Sequence, residues 1–196
     1  MPLVEDISPE FGRAFLQETD RGCVLLAVSL LDETVGELLA AYMPERPGIK
    51  KVRETLLKGA LAPLRSFYAR IEAAYAFDLI PAKMRTDLHG YRSARNLMAH
   101  RYQHLHFDHP EIMKHLRFPR LTAEAKAELR AEGSQSKPGK RRYTTTSARV
   151  AFIQHAWGLM TFLNLAVEML KKGANIHALV RKWQGLERGD KEGRMR

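Results

Sequence analysis

The sequence has 196 residues, enough for one domain of ordinary size that buries a core without disulfides or metals as staples. Lys and Arg total 32 against 22 Asp and Glu, so the formal net charge at pH 7 is +10 and a polyanion would be attracted to the protein. Cys23 is the single cysteine, which excludes an intramolecular disulfide and indicates a reducing cytoplasm.

Neither a secretory signal nor a membrane span is expected. The N-terminal segment MPLVEDISPEF has early acidic residues and no basic segment followed by an apolar run. The most apolar stretch, WGLMTFLNLAVEML at 157–170, is shorter than the ~20 apolar residues that a bilayer needs, and it contains Glu168. We therefore expect a soluble protein.

The N-terminal part predicts two helices. A Ser-Pro pair is typical of a helix start and predicts a short helix over 8–18. Thr19 or Asp20 then caps a long helix over 20–43. Its apolar residues recur every three or four positions, namely Val24, Val28, Leu31, Val35, Leu38 and Leu39.

The middle of the chain predicts four more helices, separated by proline and glycine. A third helix is expected over 50–58, and an aromatic-rich helical pattern follows over 64–79. The next helix covers 82–101. A short helix then begins at Pro110, with Asp108 as its cap.

The C-terminal part predicts a surface helix over 123–132, a loop over 133–147 and a strong helix over 147–172. No strand is expected, so the fold class is all-α, a multi-helix bundle of about six to eight helices. The predicted divisions are a helical domain at 1–132, a basic flexible loop at 133–147, C-terminal helices packing on the same domain at 148–186, and a frayed basic tail at 187–196.

A polar stripe runs along the helix over 82–101. Arg92, Asn96 and His100 are four residues apart and share one face, while Leu88, Tyr91 and Met98 point toward the core. Arg95 is about 140° around the helix from His100. These two side chains could meet only if the helix ended near His100 or if a second subunit completed the site.

Two interpretations of this stripe stay open. A histidine can move a proton at an RNA 2′-hydroxyl while an arginine holds the phosphate and an asparagine orients it. Arg95, Asn96 and His100 are then the catalytic residues of a metal-independent ribonuclease. Alternatively, the stripe is solvated or paired with carboxylates and His100 stabilises the helix C-terminus. The pattern alone favours this second, structural interpretation.

Five positive charges fall within 13 positions that contain no acid. With Arg92, they are the candidate nucleic-acid-binding residues, because arginine forks hold phosphate and Tyr143 among them could stack on a base. A solvated loop that confers solubility is an equal alternative. The five residues are Lys137, Lys140, Arg141, Arg142 and Arg149.

No metal and no cofactor are expected. His100, His104, His106 and His109 cluster within ten positions, but their spacing matches no closed zinc pattern. The sequence also lacks a glycine-rich phosphate loop and a nucleophile elbow, so conventional cofactor enzymes are poor candidates.

Four segments resemble, in order, the mannitol operon repressor (MtlR) family: ETDRGCVLLAVSLLDETVGELL at 18–39, GALAPLRSFYARIEAAYAFDLI at 59–80, DLHGYRSARNLMAH at 87–100 and FDHPEI at 107–112. Asp78 stands where the AYALGLI phrase of that family has a glycine. The resemblance implies an all-helical, cytoplasmic transcriptional regulator without a conventional DNA-binding motif. Such a repressor would act through nucleic acid or through a protein partner.

The RNLMAH stretch also resembles the R-x4-6-H signature of HEPN helical domains. These include metal-independent ribonucleases of toxin–antitoxin systems and catalytically silent binding modules. The resemblance implies that Arg95 and His100 form a catalytic pair beside Asn96, in a site assembled at the interface of a homodimer. Our hypotheses are therefore a regulator of the mannitol-repressor type, a HEPN-like endoribonuclease, and a non-catalytic protein-interaction module.

Overall fold

The structure is a computed structural model that describes residues 15, 18–100, 105–107, 109–116 and 147–192. These residues form seven α-helices and contain no strand, which confirms the predicted all-α bundle. The helices are α1 (Asp20–Tyr42), α2 (Ile49–Leu57), α3 (Phe67–Ala76), α4 (Ala82–His100), α5 (Pro110–His115), α6 (Ser147–Lys171) and α7 (His177–Glu192).

Several predicted segments lie outside the described residues. They are the surface helix over 123–132, nearly all of the basic loop over 133–147, and most of the short helix over 8–18. The domain boundaries at 132 and 147 therefore stay predictions. Residues 187–192, expected as part of a frayed tail, belong to α7.

The described residues divide into two compact units. Unit 1 takes its residues from the stretches 1–29 and 90–158, and unit 2 from 30–89 and 159–196. The core of unit 1 is aromatic, since the ring of Phe152 lies 5.1 Å from Tyr91 and 4.6 Å from Phe107. The core of unit 2 is aliphatic and includes Leu31, Leu38, Leu39, Ile71, Leu79, Ile80 and Met84.

Helix α1 begins where the sequence predicts. Thr19 is its cap, because the Thr19 Oγ1 accepts a hydrogen bond of 3.0 Å from the backbone N–H of Gly22. All six apolar residues predicted for its core face are buried. The spacing of the apolar residues therefore correctly predicted both the helix and its buried side.

Two helices differ in detail from the prediction. Helix α3 is shorter than 64–79 because Ser66 caps it, accepting a hydrogen bond of 3.1 Å from the N–H of Ala69. In α5 the cap is His109, whose Nδ1 accepts from the N–H of Glu111 at 3.3 Å. Asp108, which was predicted as that cap, lies outside the described residues.

Helix α6 is the one described helix that is long and apolar enough to cross a membrane. Its most apolar window has a mean hydropathy of 1.4, and 61% of that window is buried inside the protein. A helix that is apolar on most sides is typical of a protein core as well as of a membrane. Burial accounts for the composition of α6.

Asp78 ends α3 in an unusual conformation for a residue other than glycine, with φ of 54°. The N–H of Leu79 donates to Ala74 O at 2.9 Å and the N–H of Asp78 donates to Tyr75 O at 3.0 Å. This pattern is a Schellman motif, which favours glycine at the left-handed position. The same motif ends α6 at Gly173, with φ of 69°.

We expect Asp78→Gly to raise the free energy of unfolding by up to ~1 kcal/mol, because the left-handed conformation strains a residue with a Cβ. The gain is limited by loss of the 3.1 Å contact between Asp78 Oδ2 and His177 Nδ1. Urea denaturation measures the change, with Asp78→Ala as the control. A glycine variant no more stable than the alanine variant would contradict the role of strain.

Glycine is required at position 90 by a close approach to α5 within unit 1. A Cβ at Gly90 in α4 would lie 2.2 Å from the backbone carbonyl oxygen of His115, the last residue of α5. Glycine inside a helix costs about 1 kcal/mol relative to alanine. The close approach explains why the helix carries glycine at this position.

Gly90→Ala should lower the free energy of unfolding by about 2 kcal/mol, because a backbone carbonyl must move to admit the methyl group. The matched control is Gly158→Ala in α6, where the new Cβ meets no atom within 4 Å. That change should stabilise the protein by about 1 kcal/mol. Similar effects of the two substitutions in urea denaturation would show that the α4–α5 approach is unimportant.

Candidate functional site

The predicted polar stripe is only partly assembled. Arg95 Nη1 donates a 3.3 Å hydrogen bond to Asn96 Oδ1 on the surface of α4. His100 is exposed and is the last residue of α4. In the described part of the chain no contact joins His100 to Arg95 or to Asn96. The structure thus brings two of the three candidate catalytic residues together.

The approach of His100 to Arg95 stays a prediction, because it depends on the chain that follows His100 or on a second subunit. The residues that follow, 101–104, lie outside the described part, and so does His104. On the other side of α4, Leu88, Tyr91 and Met98 are buried as predicted. Arg92, the first residue of the stripe, is half-buried.

Arg149, one of the predicted nucleic-acid-binding residues, is buried. Its exposed fraction is 2%, and its guanidinium donates to Asp20 Oδ1 at 3.1 Å and to Phe15 O at 2.7 Å. It also donates to Glu18 O and lies 3.2 Å from Cys23 Sγ. The guanidinium is therefore held inside unit 1, where it cannot grip a phosphate in solvent.

The other four basic residues of the acid-free run at 137–149 lie outside the described residues, so their binding to nucleic acid stays a prediction. They are Lys137, Lys140, Arg141 and Arg142. Among the described side chains no three histidine, cysteine or acidic groups come close enough together to hold a metal ion.

Asp20 is the ion-pair partner of Arg149, and it connects three parts of unit 1. Its Oδ1 accepts from Arg149, while its Oδ2 accepts from the backbone N–H of Phe107 at 3.1 Å and lies 3.3 Å from His106 Nδ1. Asp20 is also in the first turn of α1, where an acid is favoured. The carboxylate therefore ties the start of α1 to α6 and to the segment 105–107.

Cys23 lies beside this ion pair as a buried thiol. Burial raises its pKa to about 11, although the positive charge of Arg149 acts in the opposite direction. Its Sγ donates to Phe15 O at 3.1 Å. The thiol is therefore protonated at neutral pH, and it is not a candidate nucleophile.

Arg149→Leu should lower the free energy of unfolding by about 3 kcal/mol, because it leaves Asp20 without its guanidinium partner and removes the hydrogen bonds that Arg149 donates to two backbone carbonyls. Urea denaturation measures the loss. The control is Arg95→Leu on the exposed face of α4, which should change stability by less than about 0.5 kcal/mol. Equal effects would mean that burial of Arg149 contributes nothing.

A second surface, in unit 2, was not identified from the sequence. We call it the α3–α4 face and define it by Tyr68, Glu72, Tyr75, Arg85 and His89. Arg85 forms a forked pair with Glu72 through bonds of 3.0 and 2.8 Å, and His89 Nε2 lies 2.6 Å from Glu72 Oε1. One carboxylate therefore holds both side chains.

The two tyrosines of the α3–α4 face are exposed but ordered. Tyr68 and Tyr75 are 53% and 41% exposed. The Tyr68 ring lies 5.3 Å from the His89 ring, and the Arg85 guanidinium lies 5.0 Å above the centre of the Tyr75 ring. Each ring is thus supported by a neighbour on α4 while part of it faces solvent.

The charges of this face are largely neutralised within it. Hydrogen bonds from Arg85 and then from His89 hold the pKa of Glu72 below its usual range, and the bond to Glu72 raises the pKa of Arg85. Exposed tyrosine beside a fixed arginine is the composition of a binding surface.

The sequence contained part of this signal. Tyr68 and Tyr75 fit the helical pattern of 64–79. They are seven positions apart, so they share a side of α3 with Glu72. The buried side is formed by Phe67, Ile71 and Ala74. Acidic Glu72 between the tyrosines was the available indication that this side faces water.

Comparisons with known proteins support the fold. No family model and no curated protein matches the sequence. Among solved structures, the chain is similar to a chain in the X-ray structure of the MtlR–HPr complex from Escherichia coli, with a TM-score of 0.57 and 20% identity. The match covers 80% of this chain and 99% of that chain. This chain therefore has an MtlR-like fold.

Proposed function

We propose that this chain is a cytoplasmic, regulator-like protein of the mannitol-repressor type that acts by binding a protein partner. The observation that carries the proposal is the α3–α4 face, with its two exposed tyrosines and its forked Arg85–Glu72 pair. The similar structure is itself a complex of two proteins, MtlR and HPr. A partner of the HPr kind is therefore the first to test.

The α3–α4 face suits association with a protein for two physical reasons. The rings of Tyr68 and Tyr75 offer apolar area for burial. Their contacts with His89 and Arg85 already restrict the two side chains, so binding would cost little further conformational entropy. The Arg85–Glu72 pair also leaves little unpaired charge to be desolvated. Binding would therefore gain from ring burial without a large polar penalty.

The test is titration calorimetry of the purified chain with the HPr protein of its own organism. Tyr68→Ala and Tyr75→Ala should each weaken binding by more than 1 kcal/mol, or more than about fivefold. Leu165→Ala, an exposed residue of α6, is the control and should leave the affinity unchanged. An affinity that is the same for all four proteins would remove the face from the proposal.

A second candidate function is metal-independent RNA cleavage by Arg95, Asn96 and His100. It is favoured by the contact between Arg95 and Asn96 and by the exposure of His100. A homodimer could supply the missing approach of His100. Loss of cleavage in EDTA for folded His100→Ala and Arg95→Ala proteins would establish this activity, and equal cleavage by all three proteins would exclude it.

The same preparations separate the remaining alternatives. A repressor that acts on nucleic acid would bind operator DNA at physiological salt, with an affinity that falls steeply as salt rises. A non-catalytic interaction module would form a protein complex and show neither DNA binding nor nuclease activity. Protein binding with no nuclease activity is the outcome that we expect.

A further inference from the structure

Leu61 is the most exposed large apolar side chain in the described residues, with 97% of its surface accessible. It lies in the segment 58–66 between α2 and α3, which we call the Leu61 turn. An isolated exposed leucine is ordinary on protein surfaces. Leu61 differs from such a residue because the backbone of its turn is held by hydrogen bonds and because the surrounding residues are basic.

Arg70 fixes the base of the Leu61 turn. Its Nη2 donates to Leu57 O at 3.3 Å and its Nε donates to Leu64 O at 2.9 Å, so one guanidinium holds both ends of the turn. The same guanidinium is anchored to α1, because Nη1 donates to Asp32 Oδ1 at 2.7 Å and to Asp32 O at 3.1 Å. The turn therefore has a rigid attachment.

The rest of the turn is also hydrogen-bonded. The N–H of Leu64 donates to Leu56 O at 2.9 Å, and Arg65 Nη1 donates to Ala60 O at 3.1 Å. Gly59 supplies the required left-handed residue, with φ of 101°. Leu61 is thus presented by an ordered backbone, which lowers the entropy that binding would cost.

The surroundings of the turn are basic. The stretch 44–66 contains six basic residues and two acidic ones, for a net charge of +4. Arg53 donates to Met43 O and is half-buried. The other basic residues are exposed, namely Arg46, Lys50, Lys51, Lys58 and Arg65.

The charge and Leu61 together select the kind of partner. A second copy of this chain would bring the same net positive charge against itself across a twofold interface, which opposes self-association. A nucleic acid would complement the positive charge, but it would bind through phosphate contacts and base stacking. An aliphatic side chain such as Leu61 adds little to either. An acidic protein surface with an apolar pocket would satisfy both features.

We propose that the Leu61 turn and α2 form a docking surface for an acidic protein surface that has an apolar pocket for Leu61. This inference rests on the proposed function, since it assumes a protein partner. The turn leads directly into the α3–α4 face, because Tyr68 follows Arg65 by three residues and both are exposed. The tyrosines and the basic turn would then contact neighbouring parts of one partner.

The first test uses the HPr protein of the same organism as the probe. Leu61→Asp, and separately the pair Lys51→Glu with Lys58→Glu, should each weaken binding at least tenfold. The charge-reversal effect should shrink as salt is raised. The matched controls are Leu165→Asp and Lys172→Glu, which are exposed in the same unit and should bind as the wild type does.

If HPr binds and the turn variants bind equally well, the docking surface is overturned while the proposed function stands. If HPr does not bind, a photo-crosslinking amino acid at position 61 in the full chain replaces it as the probe in living cells. The inference then requires a crosslinked protein whose purified form binds the wild type and loses at least tenfold in affinity to Lys51→Glu with Lys58→Glu. Crosslinks only to nucleic acid or to a second copy, or no crosslink, overturn it.

Discussion

The ion pair between Asp20 and Arg149 is the interaction on which unit 1 depends. Two residues that are 129 positions apart meet there, and their hydrogen bonds fasten the start of α1 to α6 and to the segment 105–107. A guanidinium with a 2% exposed fraction is tolerated only where its donors are satisfied. The acid and the carbonyl oxygens of Phe15 and Glu18 provide those acceptors.

Local pattern was sufficient to predict the helices, because a buried side at a period of 3.6 residues can be read within one segment. Thr19 and the six apolar residues of α1 are examples. Arg149 could not be assigned in this way. It falls in the same acid-free run as the basic residues at 137–142, and its acid partner is supplied from a distant part of the chain, so only tertiary structure distinguishes a buried guanidinium from a phosphate-binding one.

The α3–α4 face shows the same limit for a binding surface. The pattern of 64–79 correctly predicts helix, but Tyr68 and Tyr75 suit both a core and an exposed patch. Their environment depends on Arg85 and His89 of the next helix. Both of these side chains contact Glu72, which lies between the two tyrosines on α3. The sequence pattern also correctly predicted the buried side of α4, which lies opposite the stripe at 92–100. Whether His100 approaches Arg95 depends on the chain that follows His100 or on a second subunit, and residue spacing carries no information about either.

The state of Cys23 has a practical consequence for spectroscopy. Because its thiol is buried and protonated at neutral pH, native protein should behave toward maleimide dyes as if it contained no cysteine. A cysteine introduced at an exposed position would then be the single labelling site, with no need to remove the natural residue from beside Arg149. Fluorescence could in this way report on one chosen surface of an otherwise unaltered chain.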